Sequence, residues 1–105
     1  VMKPVESGVI DIASDATVLL NEVQKYNSEF LDLSIDDICP IMLKLPAAPF
    51  VANNLKPLDL NIIKQSFEKL SSKCDILLIE GAGGLFTPLE KEYFIYDLIK
   101  LFDAK

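Results

Sequence analysis

The sequence contains no histidine, so any mechanism that needs an imidazole base from this chain is excluded. It has only two cysteines, Cys39 and Cys74, which are too few for a disulfide framework and indicate a reducing compartment. Basic residues are few as well, 10 against 16 acidic ones, which gives a net charge of −6. This charge argues against a surface for nucleic acids or anionic membranes.

Long hydrophobic runs are also missing. No apolar stretch approaches the length of a transmembrane helix, and none has the pattern of a signal peptide. Together with the cysteine usage, this predicts a cytoplasmic protein. Half of the 105 residues are nevertheless hydrophobic, which predicts a packed core and one modest domain.

The most informative stretch is CDILLIEGAGGLFTP, residues 74–88. Its apolar run, Ile76–Ile79, predicts a strand buried on both faces, as in a parallel sheet. The run ends at Glu80 and passes directly into the glycine-rich segment 81–84. Open α/β sheets bind ligands outside the carboxyl ends of their strands, glycines allow close approach of the backbone, and Mg²⁺ prefers hard oxygen ligands. The stretch therefore predicts a magnesium-phosphate site, and the alternative is a tight turn with a solvated Glu80.

Two positions nearer the N-terminus have a structural and a functional interpretation. Lys3 precedes a proline at the end of a predicted strand, where it is either a solvated charge or a point charge that faces phosphate. Ser14 or Asp15 is predicted to cap a helix with an apolar face of Leu19, Leu20, Val23 and Tyr26. Asp15 is then an acid favoured by the helix dipole, a second magnesium ligand facing Glu80, or both, because a helix start that points into a cleft serves both roles.

Further elements are predicted along the rest of the chain. Ile41 to Leu43 is a short strand, residues 57–72 hold a helix capped by Asp59 or Asn61, and residues 93–102 form a last helix. Helices that alternate with short apolar runs indicate an α/β layer fold. Two or three strands are too few to cover a parallel sheet, so residues 1–105 are predicted to form a single, partial α/β domain.

Three segments carry a resemblance to a known family. They are EGAGGLFTPL (residues 80–89), KPVESG (residues 3–8) and SDA (residues 14–16). In the same order and at similar spacing, they resemble motifs of the dethiobiotin synthetase family, which has the P-loop NTPase fold. The family's Ser-Pro-His segment is replaced here by Ala48-Pro49-Phe50, which removes a serine hydroxyl near the substrate.

The resemblance implies a partial P-loop NTPase-like parallel sheet flanked by helices. No GxxxxGK[ST] segment occurs in the sequence, so the P-loop itself is lacking. On this interpretation the chain is an internal piece of a larger enzyme and is inactive alone.

The resemblance also implies an activity and a set of site residues. The family are ATP-dependent ligases of biotin biosynthesis that close a cyclic urea on 7,8-diaminopelargonic acid with CO₂. Lys3 would be catalytic and Ser7 would bind substrate. Asp15 and Glu80 would hold Mg²⁺ with the ATP phosphates, and the backbone of Gly81, Ala82 and Gly83 would face the nucleotide. A homodimer that binds only small molecules is expected.

Two other functions stay open at this point. The first is an amidoligase that resembles cobyrinic or cobyric acid synthases, because those relatives also place Glu-Gly-Ala-Gly at this strand end. The second is a non-catalytic α/β binding module that has lost its P-loop.

Overall fold

Short parallel strands lie at the centre of the fold in the computed structural model, which describes residues 1–105. The elements in chain order are β1 (Val5–Ser7), α1 (Ser14–Gln24), a 3-10 helix (Ser28–Phe30), α2 (Ile35–Ile38), β2 (Ile41–Leu43), α3 (Pro49–Ala52), α4 (Leu60–Ser71), β3 (Pro88–Glu90), β4 (Tyr93–Phe94) and α5 (Ile95–Leu101). The predicted class, an α/β fold with a parallel sheet flanked by helices, is confirmed. No helix combines the length and the apolar character needed to cross a membrane.

The N-terminal segment lies between two other extended segments. On one side, β1 pairs in parallel with β2, as the sequence predicted for residues 41–43. On the other side, Met2 forms a parallel bridge with Ile79, and the backbone N–H of Glu80 donates to the Met2 carbonyl at 2.9 Å. The carboxyl ends of all three segments therefore lie at one edge, where parallel α/β sheets place ligands.

The segment Ile76–Ile79 is less buried than its sequence predicted. Ile76 and Leu78 are 78% and 68% exposed, while Leu77 and Ile79 pack against the core. The prediction of a strand buried on both faces is therefore wrong for this chain. Successive side chains of an extended segment point to opposite sides, and only one side of this outer segment is covered.

The helix α4 agrees with the prediction. Asp59 caps it by accepting from the backbone N–H groups of Asn61 at 3.0 Å and Ile62 at 3.4 Å. Its apolar face packs inward, and the ring of Phe67 stacks on Phe102 with 4.4 Å between the ring centroids. The helix is thereby fixed against the C-terminal part of the chain.

Two helix beginnings differ from the predictions. The N-cap residue of α1 is Ala13, whose side chain makes no capping hydrogen bond, so the predicted cap by Ser14 or Asp15 is wrong. The last helix, α5, begins at Ile95 because Tyr93–Phe94 pairs with β3 as an antiparallel hairpin. This hairpin lies within a charged segment without an alternating pattern, which is why the sequence did not predict it.

Candidate functional site

Lys3 lies at the centre of the site. Its side chain is only 5% exposed, and its ammonium lies 2.5 Å from Glu80 Oε1 and 3.0 Å from Asp15 Oδ2. The same ammonium donates to the backbone carbonyl of Gly81 at 3.3 Å. One cation therefore joins the N-terminal segment, the start of α1 and the glycine-rich loop.

The two carboxylates make it possible to bury a charged lysine. An unpaired ammonium in the protein interior is costly, and that cost is offset only by close, well-oriented partners. Burial lowers the pKa of Lys3, whereas hydrogen bonds and charge from Glu80 and then Asp15 raise it, and the net pKa lies above its ordinary value. Lys3 therefore remains a fixed positive charge throughout the neutral pH range.

Asp15 and Glu80 lie close together because both contact the ammonium of Lys3. The sequence analysis predicted that Asp15 would face Glu80 as a magnesium ligand, and in the structure both carboxylates contact the ammonium of Lys3. The Asp15 and Glu80 side chains are 52% and 49% exposed, so each is also open to solvent. No group of three or more acidic, cysteine or histidine side chains with metal-binding geometry occurs in the chain.

Glu6 holds the beginning of α1, which the sequence analysis missed. Its buried carboxylate accepts from the backbone N–H groups of Asp15 and Ala16, each at 3.0 Å. The Ser14 hydroxyl also donates to it, at 3.4 Å. The sequence shows only a carboxylate next to the apolar Val5 within KPVESG, and nothing in that pattern predicted that it would be buried and would need partners.

The glycine-rich loop takes a shape that requires glycine at one position. Gly83 has φ of +83°, and a Cβ atom there would lie 2.6 Å from Thr87 Oγ1. The loop is closed by a hydrogen bond from the Thr87 backbone N–H to the Gly84 carbonyl at 2.9 Å. Thr87 thus helps to define the loop that approaches Lys3.

An open cavity of about 430 Å³ lies beside these groups. Of the predicted site residues, Lys3, Ser7, Asp15, Ala82 and Gly83 line it, while Glu80 and Gly81 do not line it but contact Lys3. The remaining lining residues are Glu6, Pro46, Ala47, Ala48, Pro49 and Thr87. Lys3 is the one basic residue of the lining, and the segment 46–49 forms an apolar wall.

The wall residues Pro46 and Ala47 were not predicted as part of the site. Neither side chain carries a charge or a hydrogen-bonding group. Neither residue belongs to a motif that the sequence analysis used. They reach the cavity because the chain after β2 passes over Gly8, where a Cβ atom would lie 3.3 Å from the Cβ of Pro46. Only the fold brings them to the site.

The chain is similar to known proteins along its whole length. The profile of the AAA domain family matches residues 1–105. An ATP-dependent dethiobiotin synthetase of Sulfurovum sp. (strain NBC37-1) is 46% identical over 100 residues, which cover 95% of this chain and 48% of that protein. Synthetases of the same name from Methanococcus vannielii and Wolinella succinogenes are 38% and 37% identical, over 97% and 98% of this chain and 45% and 48% of their own lengths. The resemblance seen in the three motifs is confirmed, and the chain spans about half the length of these curated relatives.

Proposed function

This chain belongs to the AAA domain family of P-loop NTPases, and from its similarity to curated synthetases we propose that its protein is an ATP-dependent dethiobiotin synthetase. The reaction closes a cyclic urea on 7,8-diaminopelargonic acid with CO₂ and ATP, in biotin biosynthesis. The observation that carries the proposal is the buried ammonium of Lys3, held between Asp15 and Glu80 beside an open cavity. The similarity to curated synthetases over 95% of the chain supports the same conclusion.

The proposed reaction handles anionic oxygen at each step. One amine of the substrate captures CO₂ as a carbamate, and a carbamate oxygen attacks the γ-phosphate of ATP with release of ADP. The second amine then attacks the carbamate carbon, displaces phosphate and closes the ring. Catalysis of such steps depends on positioned charges and hydrogen bonds that match the developing negative charge.

Lys3 would supply that positive charge. Its two carboxylate partners hold the ammonium in place before substrate arrives, so little reorganisation is needed during the reaction. Lys3 would contact the carbamate and the γ-phosphate, and it is the catalytic residue that we propose. The Ser7 hydroxyl lines the same cavity and would hydrogen-bond the substrate.

Asp15 and Glu80 fit a magnesium site in their chemistry. Mg²⁺ is commonly bound by one or two carboxylates together with substrate phosphates and water, and these two half-exposed carboxylates supply hard oxygen donors. When bound, the ion would neutralise charge on the ATP phosphates. The backbone of Gly81, Ala82 and Gly83 would lie against the nucleotide.

Several properties of the whole protein are inferred from the family resemblance and from the composition of the chain. We propose that it acts in the cytoplasm as a homodimer and that its partners are small molecules, not nucleic acids or membranes. The apolar wall of the cavity, residues 46–49, would contact the aliphatic part of the diamine.

The test is an assay of the purified full-length protein with 7,8-diaminopelargonic acid, bicarbonate and Mg-ATP. We expect dethiobiotin and ADP to form in equal amounts. Lys3→Gln should lower kcat by roughly 10²–10³-fold, as loss of one charge-stabilising donor does, with a much smaller change in KM for the diamine.

The matched control is Lys69→Gln. Lys69 is also ion-paired, at 2.5 Å from Asp37 Oδ1, but it does not line the cavity. Its replacement should leave kcat near the wild-type value. Absence of dethiobiotin from the wild-type reaction would contradict the proposed function. Normal turnover of Lys3→Gln would contradict the catalytic role of Lys3 and would mean that its charge has only a structural role.

A further inference from the structure

We propose that Glu6 is a positioning residue: its buried carboxylate fixes the start of α1 so that Asp15 meets Lys3. This inference rests on the proposed function, because it concerns the geometry of the same site. Neither the chemistry proposed above nor the motif resemblance gives Glu6 a role. The role follows from its contacts.

The carboxylate of Glu6 acts as a cap supplied from another element. Helix caps normally come from the residue just before the helix, whose side-chain oxygen accepts from the second or third backbone N–H of the helix. In α1 that residue is Ala13, which has no such oxygen. Glu6, on β1, accepts instead from the second and third helical residues, Asp15 and Ala16, each at 3.0 Å.

The burial of Glu6 makes this link specific. Glu6 is only 5% exposed and forms no salt bridge. A buried carboxylate requires hydrogen bonds to remain charged, and the start of α1 provides two backbone donors, the Ser14 hydroxyl and the positive end of the helix dipole. The carboxylate and the helix therefore depend on each other.

The link sets the distance between the two groups of the proposed site. Lys3 and Glu6 lie three residues apart, on either side of a bend at Pro4, so the short backbone between them fixes one relative to the other. Glu6 binds the backbone N–H of Asp15, the residue whose side chain contacts Lys3 at 3.0 Å. Loss of the Glu6 carboxylate would release the start of α1 and loosen the contact between Asp15 and Lys3.

Two variants of the full-length protein separate positioning from folding. Glu6→Gln keeps the size of the side chain and one acceptor oxygen, and Glu6→Ala removes both acceptors. We expect kcat to fall roughly 10- to 100-fold in Glu6→Gln, the effect typical of losing a residue that orients a binding group, while KM for the diamine changes little. Glu6→Ala should be worse in kcat and should also be less stable.

Asp59→Ala is the matched control for loss of a helix cap. Asp59 caps α4 through two backbone N–H groups, as Glu6 does for α1, but it does not line the cavity. Its replacement should lower the unfolding temperature without changing kcat. If Glu6→Gln behaves in the same way as Asp59→Ala, the positioning role is overturned.

A double-mutant cycle with Asp15→Asn tests whether Glu6 acts through Asp15. We expect Glu6→Gln to lower kcat far less in the Asp15→Asn background than in wild type, because residues that act as a unit are not additive. Equal effects in both backgrounds would contradict the inference.

A crystal structure of the Glu6→Gln variant gives a readout that does not need activity. We expect the start of α1 to move and the contact between Asp15 and Lys3, 3.0 Å in the wild type, to lengthen or break. An unchanged contact would contradict the inference. Wild-type protein without synthetase activity would overturn the proposed function, and this distance would still decide the role of Glu6.

Discussion

At Lys3, a single ammonium group joins three parts of the chain that are distant in sequence. Glu80 lies 77 residues away and contacts the ammonium at 2.5 Å, and Asp15 contacts it at 3.0 Å. Because two of its neighbours are carboxylates, the lysine stays charged although it is buried. A fixed cation at the edge of a cavity is what a reaction on carbamate and phosphate requires.

The pKa of Lys3 predicts how stability depends on pH. The folded-state pKa is raised above the ordinary value of 10.5, so the stabilisation from Lys3 is complete below that pH and is lost as the pH rises through the folded-state value. The free energy of unfolding of wild-type protein should therefore fall above about pH 10.5 relative to a Lys3→Met variant. Urea unfolding of both proteins between pH 8 and about pH 11 measures this difference, and a difference that grows with pH would show that the pKa is lowered.

At the scale of elements, the glycine-rich loop and the beginning of α1 give the site its shape. The loop turns at Gly83, where φ is +83° and Thr87 occupies the space that a side chain would need. The helix is held at its start by Glu6 and not by its own N-cap residue. Both features fix the path of the backbone. The path of the backbone then determines where the charged side chains of the site meet.

The loop provides a prediction with an internal control. Gly83→Ala should destabilise the protein by about 1–3 kcal/mol, because alanine is strained at positive φ and its Cβ would lie 2.6 Å from Thr87 Oγ1. Gly84→Ala should change stability by less than about 0.5 kcal/mol, because no atom lies within 4 Å of a Cβ added there. Urea unfolding of the two variants makes the comparison, and equal destabilisation would mean that the loop is not shaped as described.

Sequence patterns predicted those elements whose signals are local. The helix α4 has an apolar face and a capping aspartate in its own sequence, and β2 is a short apolar run, so both were found. The cap of α1 comes from β1, and the pairing of β3 with β4 involves charged residues, so neither has a local signal. The exposure of Ile76 and Leu78 depends on which faces of the segment are covered, and an apolar run alone does not contain that information.

At the scale of the whole molecule, three parallel segments bring their carboxyl ends to one edge. Ser7 is the last residue of the first segment, and the wall of residues 46–49 comes after the second. Glu80 and the glycine-rich loop come after the third. The chain carries a net charge of −6, yet the only basic residue that lines the cavity is Lys3. The attraction of ATP, the anionic substrate that we propose, would therefore depend on one local cation and not on the charge of the whole surface.

The grouping of Lys3, Asp15 and Glu80 could be predicted from topology, but their pairing could not. Residues at the ends of parallel strands and at a helix start were expected to meet at one rim, and the structure brings them together. The sequence predicted that both carboxylates would face one cleft as magnesium ligands, but it did not predict that Lys3 would pair with both of them. Whether the Lys3 ammonium reaches both carboxylates depends on the distances between the side-chain atoms. Only the three-dimensional structure gives those distances.

The most direct test of the proposed function is a crystal structure of the full-length protein with Mg-ATP and 7,8-diaminopelargonic acid. We predict that the Lys3 ammonium lies within hydrogen-bond distance of the γ-phosphate or the carbamate, and that Asp15 and Glu80 lie on the same side of the sheet near the metal. Nucleotide bound away from this cavity, or Asp15 and Glu80 on opposite faces of the sheet, would contradict the proposal.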